Sequence, residues 1–269
     1  MDLHNEKNIH NVTLYNYPDG QQIRVYKNVV VSGYNREVHK RQRKKGYVPW
    51  DDKWAYDITP DYSEHAIKRS QNRSKNKIYA LARANTWEWF VTFTFNGKLV
   101  NRTNFNDVTK KLKNWIDYIR KVSAPKLKYI LVPELHNDGI SYHFHGLFSN
   151  IGELNIVKSG HKDKTGNDIY NVLDYYLGFS TATKVKSSER VSAYITKYIT
   201  KELASVTLEK KRYWASRNLD LPERIDYYLD ENELNDLFDS IDINIQHKKE
   251  LKIPITNQTI KYIEVSEND

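Results

Sequence analysis

The sequence predicts an α+β fold: an antiparallel β-sheet flanked by helices, with a small N-terminal extension and an acidic C-terminal tail. Three stretches carry that prediction. Residues 87–95 (WEWFVTFTF) alternate and are rich in aromatic and β-branched side chains, which suit a half-buried strand. Residues 104–121 place Phe105, Val108, Leu112, Trp115, Ile116 and Ile119 at helical spacing, with lysines and arginines opposite. Residues 132–148 (VPELHNDGISYHFHGLF) alternate on both sides of Asn137-Asp138-Gly139, which reads as a β-hairpin.

The other elements follow in chain order. Residues 22–31 read as a strand after the turn Pro18-Asp19-Gly20. The run 37–45 is basic and is followed by Tyr47, Trp50 and Trp54; a solvated face and a contact to backbone phosphates both account for it. Residues 61–84 have helical character, with Ala66, Ile67, Ile78, Leu81 and Ala82 as a buried side. Arg73, Lys75, Lys77 and Arg83 on that helix are the candidate DNA contacts. In strand 87–95, Trp89, Val91, Phe93 and Phe95 point one way, and Phe90, Thr92 and Thr94 the other. Ala124-Pro125 ends the helix that follows. Residues 151–178 read as a loop-rich excursion, and 187–203 as a helix capped by Ser187 or Ser188 with Glu189 in its first turn. The order strand, helix, hairpin, loop, helix suggests a sheet with helices on one face, of the ferredoxin-like kind. The divisions are an extension at 1–68, a core domain at 69–217 and an acidic segment at 218–269.

Charge separates the same regions. The chain of 269 residues carries a formal net charge of +8. Residues 1–217 hold 37 Lys and Arg against 21 Asp and Glu, a net of +16, whereas 218–269 hold 5 against 13, a net of −8. The basic part favours an anionic partner, nucleic acid above all. Its many tyrosines and tryptophans, interleaved with lysine and arginine, suit the stacking of single-stranded bases. The acidic tail is open to three readings: disordered, an autoinhibitory mimic of DNA, or a helix over 231–238. With no cysteine, disulfides and thiolate zinc sites are excluded. No apolar segment approaches the length of a membrane span, so a soluble protein of the cytoplasm is expected. No phosphate-binding glycine loop is present, so unwinding would need a partner.

The hairpin carries the first candidate site. If Asp138 and Gly139 form a type I′ turn, His136 faces Ser141, Leu135 faces Tyr142 and Glu134 faces His143. Directly opposed residues share a face, and His145 lies two residues further along it. One carboxylate and two imidazoles then converge, a donor set for a divalent cation. A His-x-His pair also arises from simple alternation on a half-exposed strand; the opposed Glu134 is what favours metal. His136 shares the face as a substitute or supporting group. His4, His10, His39, His65, His161 and His247 show no metal spacing.

The second candidate site lies in the last helix. Tyr194 and Tyr198 are four apart and so share a helical face, and Lys197 and Lys201 each follow a tyrosine by three. Tyrosines at the edge of a core, holding their hydroxyls toward water, would look the same. The functional reading is a pair of nucleophiles for a phosphodiester, with a cation to polarise the phosphate and lysines to assist.

His143-Phe144-His145 resembles the His-hydrophobic-His motif of the HUH endonucleases, the nicking enzymes of rolling-circle replication. Glu134 matches the acidic third ligand of many replication initiators in that superfamily, and residues 90–95 look like their first strand motif. Tyr194-x-x-Lys197-Tyr198-x-x-Lys201 resembles the two-tyrosine motif of initiators from small single-stranded DNA phages. The resemblance covers about residues 86–203, with a weaker likeness at 211–219. It implies an RRM-like nuclease domain that nicks single-stranded DNA at an origin, a hairpin included, and leaves a 5′-phosphotyrosine link and a 3′-hydroxyl primer. It further implies Mg²⁺ or Mn²⁺ held by Glu134, His143 and His145, nucleophiles Tyr194 and Tyr198 assisted by Lys197 and Lys201, and a host helicase and polymerase in a bacterial cytoplasm. A relaxase or transposase of a mobile element would share this chemistry, and a non-catalytic single-strand binding module would share only the surface.

Overall fold

A computed structural model describes residues 8–32, 64–200, 203, 207, 210–241, 245–253 and 257–266. The basic run at 37–45, Tyr47, Trp50, Trp54 and Lys201 lie outside the described residues. The chain runs through β1 (Asn8–Tyr17), β2 (Gly20–Ser32), α1 (Glu64–Arg83), β3 (Trp89–Phe95), α2 (Phe105–Val122), β4 (Lys128–Leu135) and β5 (Tyr142–Ser149). It continues through β6 (Ile156–Lys162), β7 (Asp168–Val172), β8 (Gly178–Lys184), α3 (Ser188–Ile195), a 3₁₀ turn (Thr196–Tyr198) and β9 (Trp214–Ala215). β10 (Glu223–Tyr227), α4 (Glu231–Ile241), β11 (Ile245–Ile253) and β12 (Gln258–Ser266) complete it. These elements fall into two compact units: Tyr62–Leu221, and Met1–Asp61 together with Pro222–Asp269. The fold class is the expected α+β, with antiparallel sheets and helices.

The unit Tyr62–Leu221 holds a seven-stranded sheet in the order β6-β7-β8-β3-β5-β4-β9. In β3 the alternation is as expected: Trp89, Val91, Phe93 and Phe95 are buried, and Phe90, Thr92 and Thr94 are half-buried. α2 covers the first of these faces. Its buried residues are the six that the periodicity singles out, and the Trp115 ring meets Phe93 edge-on at 5.2 Å. Asn104 caps it by accepting from the amides of Asn106 and Asp107, satisfying donors that a helix start leaves unpaired.

The expectation of helices on one face is corrected: α3 and its 3₁₀ turn lie on the opposite face, where Tyr194 and Tyr198 meet Phe90. α1 packs beside them, with the Gln71 side chain donating to the Ile199 carbonyl at 2.7 Å. The reason is apolar content. Leu147 and Ile130, which pair with each other across β5 and β4 on the Phe90 side, are fully buried. A sheet apolar on both faces needs cover on both.

Two further expectations change. Residues 151–178 hold β6 and β7, a hairpin whose β6 is largely exposed, so no alternation betrays it in the sequence. The helix expected over 187–203 stops being α-helical at Ile195 and tightens into the 3₁₀ turn. β-Branched Ile195, Thr196, Ile199 and Thr200 favour helix poorly, and the Thr196 hydroxyl donates back to the Ala193 carbonyl at 2.7 Å.

The other unit joins the two ends of the chain. Its five-stranded sheet runs β10-β1-β2-β12-β11, with Leu14 opposite Ile225 and Ile23 opposite Ile263. Val12, Ile23, Val25, Ile263 and Val265 form its core, and Leu234, Leu237 and Phe238 of α4 pack against it. Residues 1–68 and 218–269 therefore do not form the two separate bodies that composition suggests. Strand pairing joins segments some two hundred residues apart in sequence, which a reading of local composition does not register.

Candidate active site

The β4–β5 hairpin has the expected register, with Glu134 opposite His143 and Leu135 opposite Tyr142. Its turn is of another kind. Asp138 is not among the residues with positive φ; only Gly139 is, at +72°. The Gly139 amide donates to the His136 carbonyl, and the His136 amide to the Ser141 carbonyl, both at 2.8 Å. Loop 137–140 thus replaces a two-residue type I′ turn, and because it adds equally to both strands the pairing is unaltered. The Asp138 carboxylate accepts from the amides of Ile140 and Ser141. Hydrogen bonds from Ser141, side chain first, hold that carboxyl well below its ordinary range.

On the face shared by β3, β4 and β5, Glu134 Oε2 and His145 Nε2 lie 2.6 Å apart. His145 Nδ1 lies 3.1 Å from the Thr92 hydroxyl, directly across the β3–β5 ladder. A Thr92 partner at Nδ1 fixes the ring and, with the proton there, turns the Nε2 lone pair outward, the form that binds a cation. His143 stands beside His136, with ring centroids 4.5 Å apart. Burial, then the charges of His136 and His145, press its pKa below the ordinary histidine value, which keeps it neutral. Among the described residues no group of three or more His, Asp or Glu side chains is spaced to hold a metal ion. The donor chemistry of Glu134, His143 and His145 suits a divalent ion, and two of the three are in contact.

The tyrosines come down onto this face from above. Tyr198 stacks on His145 with centroids 3.6 Å apart and planes 16° from parallel. Its hydroxyl donates to the Tyr194 hydroxyl at 2.9 Å. Burial first, then the bond to Tyr194 and the charges of Tyr194 and Glu134, push the Tyr198 phenol far up. Tyr198 is therefore a proton donor, and Tyr194, 44% exposed, is the accessible oxygen of the pair. The Lys197 ammonium sits over the Tyr194 ring, 5.1 Å from its centroid.

Phe90 is the residue that sequence reasoning passed over. Its ring stacks on His145 at 5.8 Å and on Tyr198 at 6.1 Å, and meets Tyr194 edge-on at 5.3 Å. The signal was present: a lone large aromatic alternating with threonines on the less buried face of β3.

The proposed DNA contacts on α1 separate. Arg73 and Lys77, four apart on one helical face, are exposed, and Lys75 is half-buried on another side. Arg83 is corrected: it is 3% exposed and donates to the Tyr79 hydroxyl, so it serves the fold and not a phosphate.

A model of the replication-associated protein family that includes the ORF2 proteins matches residues 88–203. The match supports a replication initiator. No curated protein and no solved structure matches the chain. The matched stretch runs from the residue before β3 to Leu203 and contains Phe90, Thr92, Glu134, His143, His145, Tyr194 and Tyr198. Among the described residues no helix is long and apolar enough to cross a membrane.

Proposed function

We propose that the unit Tyr62–Leu221 nicks single-stranded DNA at a replication origin through a tyrosine nucleophile, starting rolling-circle replication of a phage or plasmid. The observation that carries this reading is the hydroxyl pair Tyr194–Tyr198 held against the His145–Glu134 contact. Tyr194 Oη attacks the phosphorus and its proton leaves to solvent. The bond from phosphorus to the 3′ oxygen breaks, and that oxygen takes a proton from water to become a 3′-hydroxyl primer. The 5′ end stays on Tyr194 as a phosphotyrosine, and attack by a 3′-hydroxyl on that link rejoins the ends. Tyr198 steadies the Tyr194 oxygen by its hydrogen bond and is placed to take a second strand end at termination. Glu134, His143 and His145 would hold Mg²⁺ or Mn²⁺, which supplies Lewis-acid polarisation of the phosphate oxygens. Lys197 contributes positive charge beside the nucleophile, as Lys201 would if the helix face continued to it. A host helicase and polymerase would open the duplex and extend the primer.

The test is incubation with labelled single-stranded oligonucleotides from the parent replicon, with Mn²⁺ or with chelator, followed by denaturing gels. A metal-dependent covalent adduct, lost in Tyr194→Phe/Tyr198→Phe, is the expected result. Tight binding to the origin strand with no adduct would sink the nuclease and leave a single-strand binding module. The clustered rings of Phe90, Tyr194 and Tyr198 favour that second reading, because base stacking asks for aromatic faces and no chemistry.

A further inference from the structure

A cleft of about 830 Å³ opens on the same sheet face beside the tyrosines, within the size range of ligand sites. Its floor is β3 and β8, where Thr181 pairs with Thr92 and Thr183 with Phe90, so all four share the face of His145. One wall is the tip of the β6–β7 hairpin, through Asp163 and Asn167; the other is the first turn of α3, through Ser187 and Arg190. Tyr194 closes one end.

The hairpin wall is built and pinned. The Asp163 carboxylate accepts from the amides and side chains of Thr165 and Asn167, and the Lys186 ammonium donates to Asn167 Oδ1 at 2.5 Å. That ties the loop at 163–167 to the residues leading into α3. The four donors to Asp163 all come from its own loop, and Lys186 and Arg190 stand against Asp163 and Glu189 along the walls. Hydroxyls, an amide and cations beside the Phe90 and Tyr194 rings are what a nucleic acid strand uses: cations for phosphate, hydroxyls and amide for base and sugar edges, rings for stacking.

The sheet order gives the direction. Glu134 and His143 stand on β4 and β5, the tyrosines over β5 and β3, and the cleft over β3 and β8. A strand crossing the sheet with its cleaved phosphate at Tyr194 must leave through the cleft or over β4. We propose that the cleft seats the nucleotides flanking the cleaved phosphate on one side, with Arg190 contacting their backbone and Thr183 their bases. This rests on the nuclease reading for its register but not for its test.

The test is fluorescence anisotropy of the full chain with fluorescein-labelled dT20 in chelator, where no cleavage occurs. Arg190→Gln and Thr183→Trp, which fills the floor, should each bind at least tenfold more weakly. Arg190→Gln should also lower the salt slope by about 0.7, one phosphate contact on a single strand. Lys111→Glu, exposed on α2 across the sheet, should bind as wild type. Melting curves check folding; should Thr183→Trp fail to fold, Arg190→Gln at its exposed position decides. Binding of the cleft variants within twofold of wild type overturns the proposal, as does a wild-type chain with no measurable affinity for dT20. The adduct assay above reports the chemistry separately: weak cleft variants with no adduct would keep the cleft and remove the nuclease, and adducts with unaltered cleft variants would do the reverse.

Discussion

The hydroxyl of Tyr198 donates to the hydroxyl of Tyr194 across 2.9 Å, although the two residues do not share one regular helix. Tyr194 ends in α-helix and Tyr198 in the 3₁₀ turn, and the tightening keeps the two side chains on one side. The donor is half-buried on His145; the acceptor is open to solvent.

That asymmetry sets unequal roles. Tyr194→Phe should abolish the first covalent adduct, whereas Tyr198→Phe should slow it by roughly ten- to a hundredfold, as loss of a hydrogen bond to a reacting oxygen does. Single-turnover rates with the origin strand would read both. Equal loss in the two variants would overturn the division.

Thr92 is expected to matter without touching substrate. It holds His145 Nδ1, and Thr92→Val removes that hydroxyl at nearly constant volume. Loss of such a supporting partner weakens metal affinity or activity by roughly 10–100-fold. A Mn²⁺ titration of cleavage should show the requirement displaced upward with dT20 affinity unaltered.

Gly139 tests the turn. Its φ of +72° is the left-handed region, and a Cβ there would meet nothing within 4 Å, so Gly139→Ala isolates backbone strain. Destabilisation of about 1 kcal/mol is expected. Chemical denaturation would measure it; a neutral effect would mean the loop re-forms without a left-handed residue.

Asp226 gives a pH signature to the smaller unit. Burial pushes its pKa up, but hydrogen bonds from Thr13 and Arg224, with the charge of Arg224, outweigh burial and leave it lowered. A carboxyl lowered in the folded state adds stability that is present above its unfolded pKa and lost as pH falls through the folded one. Asp226→Asn should therefore lower the melting temperature at pH 7 and make less difference towards pH 3. A pH-independent difference would assign the loss to packing alone.

Much was legible in the chain because local periodicity wrote it there. The alternation of residues 89–95, the apolar stripe of α2 and the Glu134–His143 register all follow from a period of two or of 3.6. The register held even though the turn differed, since 137–140 adds equally to both strands. The exposed β6–β7 hairpin was not legible, because polar residues on both sides of a strand leave no alternation. Nor was the burial of Arg83, since a basic residue at the end of a basic helix reads as solvated until the packing around it is known.

By itself, then, the sequence determined which side chains share a face: Phe90 with Thr92, Glu134 with His143 and His145, Tyr194 with Tyr198. Only the tertiary structure decided that these three sets meet, because their contacts join elements tens of residues apart. It also decided that α2 and α3 take opposite sides of the sheet, and that the chain's two ends pair as β1 with β10 and β2 with β12. Periodicity is a property of neighbours along the chain; the site is made by the burial of apolar surface between distant segments, which no local pattern records.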